Sequence, residues 1–124
     1  MTKERKELGE RGEFFACTYL ERQGIQVLDR NWRCKAGEAD IIAIEDDDVV
    51  FLEVKTRRMN TETGLPEDAI TAAKRKRYER IAESYLFHHD LPSARIRFDV
   101  IAISVSDDGK ALLRHHRDAF CCGA

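Results

Sequence analysis

Three charged residues stand where the surrounding sequence is apolar. Asp40 opens the run Asp40-Ile41-Ile42-Ala43-Ile44, and Glu53 and Lys55 close the run Val49-Val50-Phe51-Leu52-Glu53-Val54-Lys55. Charges within such core-type sequence are costly unless something pairs with them. An aspartate, then twelve residues, then Glu-x-Lys offers two hard oxygen ligands with a cation beside them. Magnesium takes oxygen ligands and keeps several waters. A bound divalent ion makes phosphorus electrophilic and acidifies its water. The spacing therefore points to phosphodiester hydrolysis. Asp40 and Glu53, with the carbonyl of Val54, are expected to hold Mg²⁺ or Mn²⁺. Lys55 is expected to orient the attacking water and stabilise negative charge. Glu13 is expected to complete the shell through water or to accept a proton. Glu38, two residues before Asp40, is an alternative orienting group. Taken singly, each residue also fits a plain role: a Glu53–Lys55 ion pair, a solvent-facing Asp40, a Glu13 or Lys74 snorkelling from its helix. Their convergence is what favours a site.

That convergence rests on a hairpin. With Glu45 opposite Asp48 across a turn at Asp46-Asp47, the register sets Asp40 opposite Glu53 and Glu38 opposite Lys55. Side chains alternate with period two, so all four are expected on one face of the sheet. A slip of one residue would change the pairings but leave Glu53 and Lys55 together. Before the hairpin, a helix is expected from Thr2 to Gln23, stopped by Gly24. Leu8, Gly12, Phe15, Ala16, Tyr19 and Leu20 share its inward arc, with Glu13 at the edge. Ile25 to Leu28 reads as a short strand. Asn31 to Gly37, with Trp32, Arg33 and Lys35, reads as a polar, basic connection. After the hairpin, Arg57 to Pro66 reads as a loop able to touch a ligand. A second helix is expected from a Thr71 N-cap to Phe87. Tyr78, Ile81 and Tyr85 form its inward stripe, and Lys74 belongs to it. Ile96 to Ser104 is a long strand, Asp107-Asp108-Gly109 a turn, and Ala111 to His116 an edge strand. The order α-β-β-β-α-β-β implies an α/β fold, a central mixed sheet with helices packed on its faces.

The 124 residues suit a single domain spanning 1–124, and 43% hydrophobic with 35% charged residues indicates a globular chain. No apolar run approaches the roughly 20 residues needed to span a bilayer. The charged start Met1-Thr2-Lys3-Glu4-Arg5-Lys6-Glu7 has no signal-peptide core behind it. A cytoplasmic protein with no membrane association is the expectation. Cys17, Cys34, Cys121 and Cys122 form no C-x-x-C pair, and His88-His89 and His115-His116 lack zinc-finger spacing. The thiols are expected to be reduced. The net charge of −2 argues against constitutive tight nucleic-acid binding. Its distribution is uneven: acid collects at Glu45-Asp46-Asp47-Asp48, base at Arg57-Arg58 and Lys74-Arg75-Lys76-Arg77. Arg33, Lys35, Arg57, Arg58, Lys74, Arg75 and Arg77 are candidate phosphate contacts, which position a nucleic acid rather than read it.

The combined pattern resembles a known family. Gly9-Glu10-Arg11-Gly12-Glu13 with Ala16 and Tyr19-Leu20, and Arg30-Asn31-Trp32-Arg33, resemble the YraN-like proteins. So do Gly37-Glu38-Ala39-Asp40-Ile41-Ile42-Ala43, Val50-Phe51-Leu52-Glu53-Val54-Lys55-Thr56-Arg57, Lys74, Arg97-Phe98-Asp99-Val100 and Ala119-Phe120. The likeness covers about Leu8 to Phe120. That family is similar to archaeal Holliday-junction resolvases and is assigned to the PD-(D/E)xK nuclease-like superfamily. The resemblance implies a restriction-endonuclease-like α-β-β-β-α-β core and metal ligands at Asp40 and Glu53. It further implies a catalytic lysine at Lys55, a supporting acid at Glu13 and an accessory polar residue at Lys74. The activity implied is a Mg²⁺- or Mn²⁺-dependent DNA endonuclease, with a homodimer as in junction-cutting resolvases. The alternative is a non-catalytic nucleic-acid-binding or adaptor protein on the same fold.

Overall fold

A computed structural model describes residues 2–59, 71–91 and 94–119. Helix α1 spans Lys3–Arg22, and strands β1, β2 and β3 span Gln26–Cys34, Gly37–Glu45 and Asp48–Arg58. Helix α2 spans Ala72–His88, followed by β4 at Arg95–Val105 and β5 at Ala111–His116. The five strands lie in sequence order, antiparallel except for the parallel pair β3–β4. A parallel pair needs a crossover, which α2 supplies. The result is an α/β fold with a mixed sheet between two helices, a restriction-endonuclease-like core. Among the described residues, no helix is long and apolar enough to cross a membrane.

Local chemistry sets the helix ends. The Thr2 side chain accepts from Arg5 N at 3.2 Å, and Thr71 does the same for Lys74 N at 3.2 Å. Each cap satisfies an orphan first-turn donor. Gly24, at φ +80°, takes the left-handed conformation that releases the chain from α1.

The two sheet faces bury separate clusters. On one, Ala16, Cys17 and Leu20 of α1 cover Ile41, Ala43, Val50, Leu52, Ile101 and Ile103. On the other, Tyr78, Ile81, Ala82 and Tyr85 of α2 cover Ile42, Val49, Phe51, Phe98 and Val100. Fully burying each Val, Leu, Ile or Phe among them contributes about 1.5–3 kcal/mol. Helix α1 approaches β3 closely at Gly12. A Cβ built there would stand 1.9 Å from Thr56 Oγ1, so any larger residue must push Thr56 or the helix aside. Phe15 departs from the expected arc. It is 39% exposed, and Phe14 is 65% exposed. Both border an open cavity of about 570 Å³, with Leu8, Thr56, Ile103 and Val105 also in its wall. The close Gly12–Thr56 contact turns Cys17, rather than Phe15, into the core.

Strand β1 is longer than its sequence suggests. Residues 31–34, expected as a connection, are strand, and the turn narrows to Lys35-Ala36. Arg33 pairs with Glu38 and Cys34 with Gly37 across it. β1 is an edge strand, so its polar side chains remain wet while its backbone is paired. Gly37, at φ +142°, would bring a Cβ within 2.8 Å of Arg77 Cδ, so the stem of Arg77 lies over this turn. Strand β3 likewise runs on through Arg57 and Arg58, which the sequence had suggested belong to a loop. Positions 60–66 of that loop, Phe120, Cys121 and Cys122 lie outside the described residues.

A buried ionic network ties β4 to β5, to α1 and to the turn end of β2. Asp99 is fully buried on β4. It accepts from Arg97 Nε and NH2, both at 2.9 Å, and from Asp118 N at 2.9 Å. His115 Nε2 lies 2.8 Å from its Oδ2, and the far nitrogen of that ring is 2.9 Å from Tyr19 OH. Arg97 also donates to Glu45 at 2.7 Å. Burial would raise Asp99, but the four bonds from Arg97, His115 and Asp118 outweigh it and hold the carboxyl below its ordinary value.

Candidate active site

The β2–β3 hairpin has the register expected from its sequence, from Glu45–Asp48 at the turn to Ile41–Leu52. Asp46 supports the turn at φ +54°. Beyond Ile41–Leu52 the ladder stops, and a side chain takes over. Asp40 Oδ2 accepts from Val54 N at 2.9 Å. Facial alternation also breaks here. Ile41 and Ala43 pack in the α1-side cluster, yet Ala39 packs in the α2-side cluster. Asn31 on the neighbouring β1, at φ +52°, marks the matching kink. The expectation that Glu38, Asp40, Glu53 and Lys55 share one uninterrupted face is corrected accordingly. Asp40 sits at the split between two strands rather than within a continuous ladder.

Glu53 is the centre of the site. It is 7% exposed, and both its oxygens are engaged. Oε2 accepts from Tyr78 OH at 2.5 Å, and Oε1 from Lys74 Nζ at 2.9 Å. Lys55 Nζ lies 3.3 Å from the same Oε1. Burial alone would raise the Glu53 carboxyl. The hydrogen bonds from Tyr78 and Lys74 and the two ammonium charges outweigh it, so Glu53 lies below its ordinary value. Asp40 goes the other way. Burial, then the charge of Glu53, push it up to about 7, against the pull of the Val54 N–H. Glu13 and Glu38 add to the rise. Burial and the adjacent Lys74 ammonium lower Lys55, with Glu53 opposing. Burial would lower Lys74 too, but its bond to Glu53 and the charge of that carboxylate leave it raised. Two carboxylates with opposite shifts in one place are a mark of functional sites.

Glu13 reaches this end of the sheet from α1, on the opposite face from Lys74. Burial raises its carboxyl, a hydrogen bond to Asn31 and the charge of Arg30 lower it, and Glu38 and Glu53 raise it further. Glu38 does not face Lys55. It accepts from Arg33 Nε at 2.7 Å, its cross-strand neighbour on β1. The end of the β2–β3 ladder before residue 38 removes the expected pairing. Among the described residues, no group of three or more His, Cys, Asp or Glu side chains is arranged to hold a metal ion. Asp40 and Glu53 are a pair. The donor set still suits a hard divalent cation: two close carboxylates, one with its proton held by burial and then by the charge of the other, with lysines supplying the balancing charge.

The basic candidates lie around this opening. Arg33 is exposed on β1, with Lys35 in the following turn. Arg57 and Arg58 end β3, and Arg75 and Arg77 are exposed beside Lys74 on the first turns of α2. The helical spacing puts Tyr78 in the core stripe but does not reveal its bond to Glu53. The signal was there: Lys74 and Tyr78 are four residues apart on one helix face. Asn31 had no comparable signal, because its role depends on the kink in β1.

A mixed sheet between two helices, with an Asp…Glu-x-Lys set at the opening of its second hairpin, defines a nuclease-like α/β protein. The family model "Uncharacterised protein family UPF0102" matches residues 12–103. A UPF0102 protein of Roseiflexus castenholzii is 50% identical over 106 residues, 85% of each chain. One from Myxococcus xanthus is 43% identical over 120 residues, 97% of this chain and 94% of its own. A third, from Rhodococcus opacus, is 42% identical over 91% of this chain and 95% of its own. The chain belongs to the UPF0102 family, the YraN-like proteins.

Proposed function

We propose that this protein is a Mg²⁺- or Mn²⁺-dependent endonuclease that hydrolyses DNA phosphodiester bonds, resembling Holliday-junction resolvases. The whole chain would act as one domain, in the cytoplasm, with a two-fold dimer as its working form on a branched substrate. The observation that carries this reading is the buried Glu53, bound by Lys55 and Lys74 beside an Asp40 carboxyl raised to about 7. Asp40 and Glu53, with the Val54 carbonyl, would hold the cation. When bound, it supplies Lewis-acid activation of the phosphate and a more acidic water. Lys55, already lowered by burial, orients that water or stabilises charge gathering on the phosphate oxygens. Glu13, its carboxyl also raised by burial, is suited to accept a proton from that water. Tyr78 fixes the rotamer of Glu53. Arg33, Lys35, Arg57, Arg58, Lys74, Arg75 and Arg77 hold the DNA backbone across the opening.

The test is cleavage of labelled four-way junctions and linear duplex in Mn²⁺, with binding followed separately by fluorescence anisotropy. The wild type is expected to cut. Glu53→Ala is expected to lose cutting by at least about a hundredfold while keeping DNA affinity within about threefold. DNA binding without cleavage on any substrate, lost on changing Arg57 or Arg75, would replace this reading with a binding or adaptor role.

A further inference from the structure

Helix α2 flanks the edge strand β1 along a ridge that carries no acid. Arg77, Arg80, Ser84 and His88 follow one another at steps of three or four residues, so they are neighbours on the helix surface. Both ends of the ridge are fixed against β1 and its turn. The Arg77 stem lies over Gly37, and the His88 ring lies 6.2 Å from Trp32. His88 Nδ1 is 2.7 Å from Ser84 O. A carbonyl only accepts, so this nitrogen carries the hydrogen and the ring is held. Lys35 is exposed in the turn just before Gly37. Among the described residues, Lys35, Arg77 and Arg80 enter no ion pair. The nearby acids point away or are already engaged. At about 100° per residue, Glu79 and Glu83 lie about 100° or more round α2 from the mean direction of the ridge. Asp29 accepts from Tyr85 OH, and Glu38 from Arg33, each at 2.7 Å. The far end of the ridge is aromatic. Phe87 is 81% exposed and sits edge-on to His88 at 5.7 Å, with half-buried Trp32 on beyond that ring.

We propose that this flank binds single-stranded DNA: Lys35, Arg77 and Arg80 hold neighbouring phosphates, and the Phe87–His88–Trp32 rings take an unpaired base. It rests on the function proposed above for its partner, nucleic acid, and not on cleavage. Cations matched by no acid suit a phosphodiester chain of either form. The rings decide between the forms. A duplex keeps its bases stacked inside, whereas a single strand offers a π-face at every nucleotide. From Arg77 to His88 the ridge runs about 17 Å along the helix, room for a few nucleotides. It begins three residues after Lys74, at the opening that holds Glu53. A strand lying on it therefore leads away from that opening. The substrate class is DNA with a single-stranded segment beside the scissile bond, as at a flap or an open branch point.

Trp32 is the chain's one tryptophan, so its emission reports on this flank directly. The full chain, in chelator to prevent cleavage, is titrated with a short labelled oligothymidylate and with a blunt duplex of the same length. Emission and anisotropy are followed together. Oligothymidylate is expected to quench Trp32 saturably, and the duplex is not. Phe87→Ala is expected to weaken oligothymidylate binding at least about fivefold, the loss of one stacked base, with duplex affinity held within about twofold. Arg77→Gln with Arg80→Gln is expected to flatten the slope of log affinity against log salt by about 0.7 per cation removed. All three side chains are exposed, so these variants probe contacts rather than folding. Absent quenching, equal quenching by the duplex, an unchanged affinity in Phe87→Ala or an unchanged salt slope overturns the proposal and leaves the endonuclease reading intact. Quenching with the expected variant effects, in a protein that cuts no substrate, supports this surface and overturns the endonuclease reading instead.

Discussion

Replacing Asp40 with asparagine in the metal-free protein should change how stability depends on pH. Folded Asp40 has its carboxyl raised from 3.8 to about 7, chiefly by burial and then by the charge of Glu53. Between those values the folded protein keeps a proton that the unfolded chain has released, so stability falls as pH rises. The loss is complete once pH exceeds the folded value. About three pH units at 1.36 kcal/mol each set a ceiling of about 4 kcal/mol. Asp40 and Glu53 share one proton equilibrium, which reduces the part assignable to Asp40 to about 2 kcal/mol. Asparagine is nearly isosteric, its oxygen can still accept from Val54 N, and it never ionises. Urea unfolding of both proteins in chelator, at about pH 5 and about pH 8.5, gives the comparison. At the lower pH, already above the unfolded value of 3.8, the variant should lead by less than about 1 kcal/mol. At the higher pH the variant should be more stable by about 2 kcal/mol. A stability difference that is the same at both values would refute the argument that Asp40 is buried beside an ionised Glu53.

Two further substitutions test the frame that holds the site. Gly12→Ala places a Cβ against Thr56, on a strand whose β-branched side chain cannot easily move aside. The overlap should outweigh the helix-propensity gain of about 1 kcal/mol and leave a net loss of about 1–3 kcal/mol in urea unfolding. Pairing it with Thr56→Ala should recover much of that loss, and a neutral single variant would contradict the close packing. Asp99→Ala strips the shared acceptor from Arg97, His115 and Asp118 N. Breaking such a buried pair should cost about 3–5 kcal/mol by urea unfolding, and a cost under about 1 kcal/mol would show the network to be incidental.

Much of this protein could be read from local chemistry. Thr2 and Thr71 announce helix starts because a hydroxyl at the N-cap answers a local need. The β2–β3 register followed from the turn length and the apolar alternation, which together leave one way to bury both strands. Glu53, Lys55 and Lys74 were legible as charges on otherwise apolar faces, and the Tyr78 that joins them lies one helical turn beyond Lys74. Other features are set by neighbours distant in sequence. β1 extends to Cys34 because β2 supplies its hydrogen bonds, although residues 31–34 look like loop. Phe15 stays partly exposed because α1 meets the sheet at Gly12. Glu38 turns to Arg33, and Asp40 to the backbone of Val54, because the hairpin opens one pair beyond Ile41–Leu52. The sequence by itself determined which residue types lie near one another, since period and capping act over a few residues. Only the tertiary structure decided which carboxylate keeps its proton and which takes the lysines. Those outcomes depend on burial and on charges brought together from α1, β2, β3 and α2, and no local pattern encodes such distances.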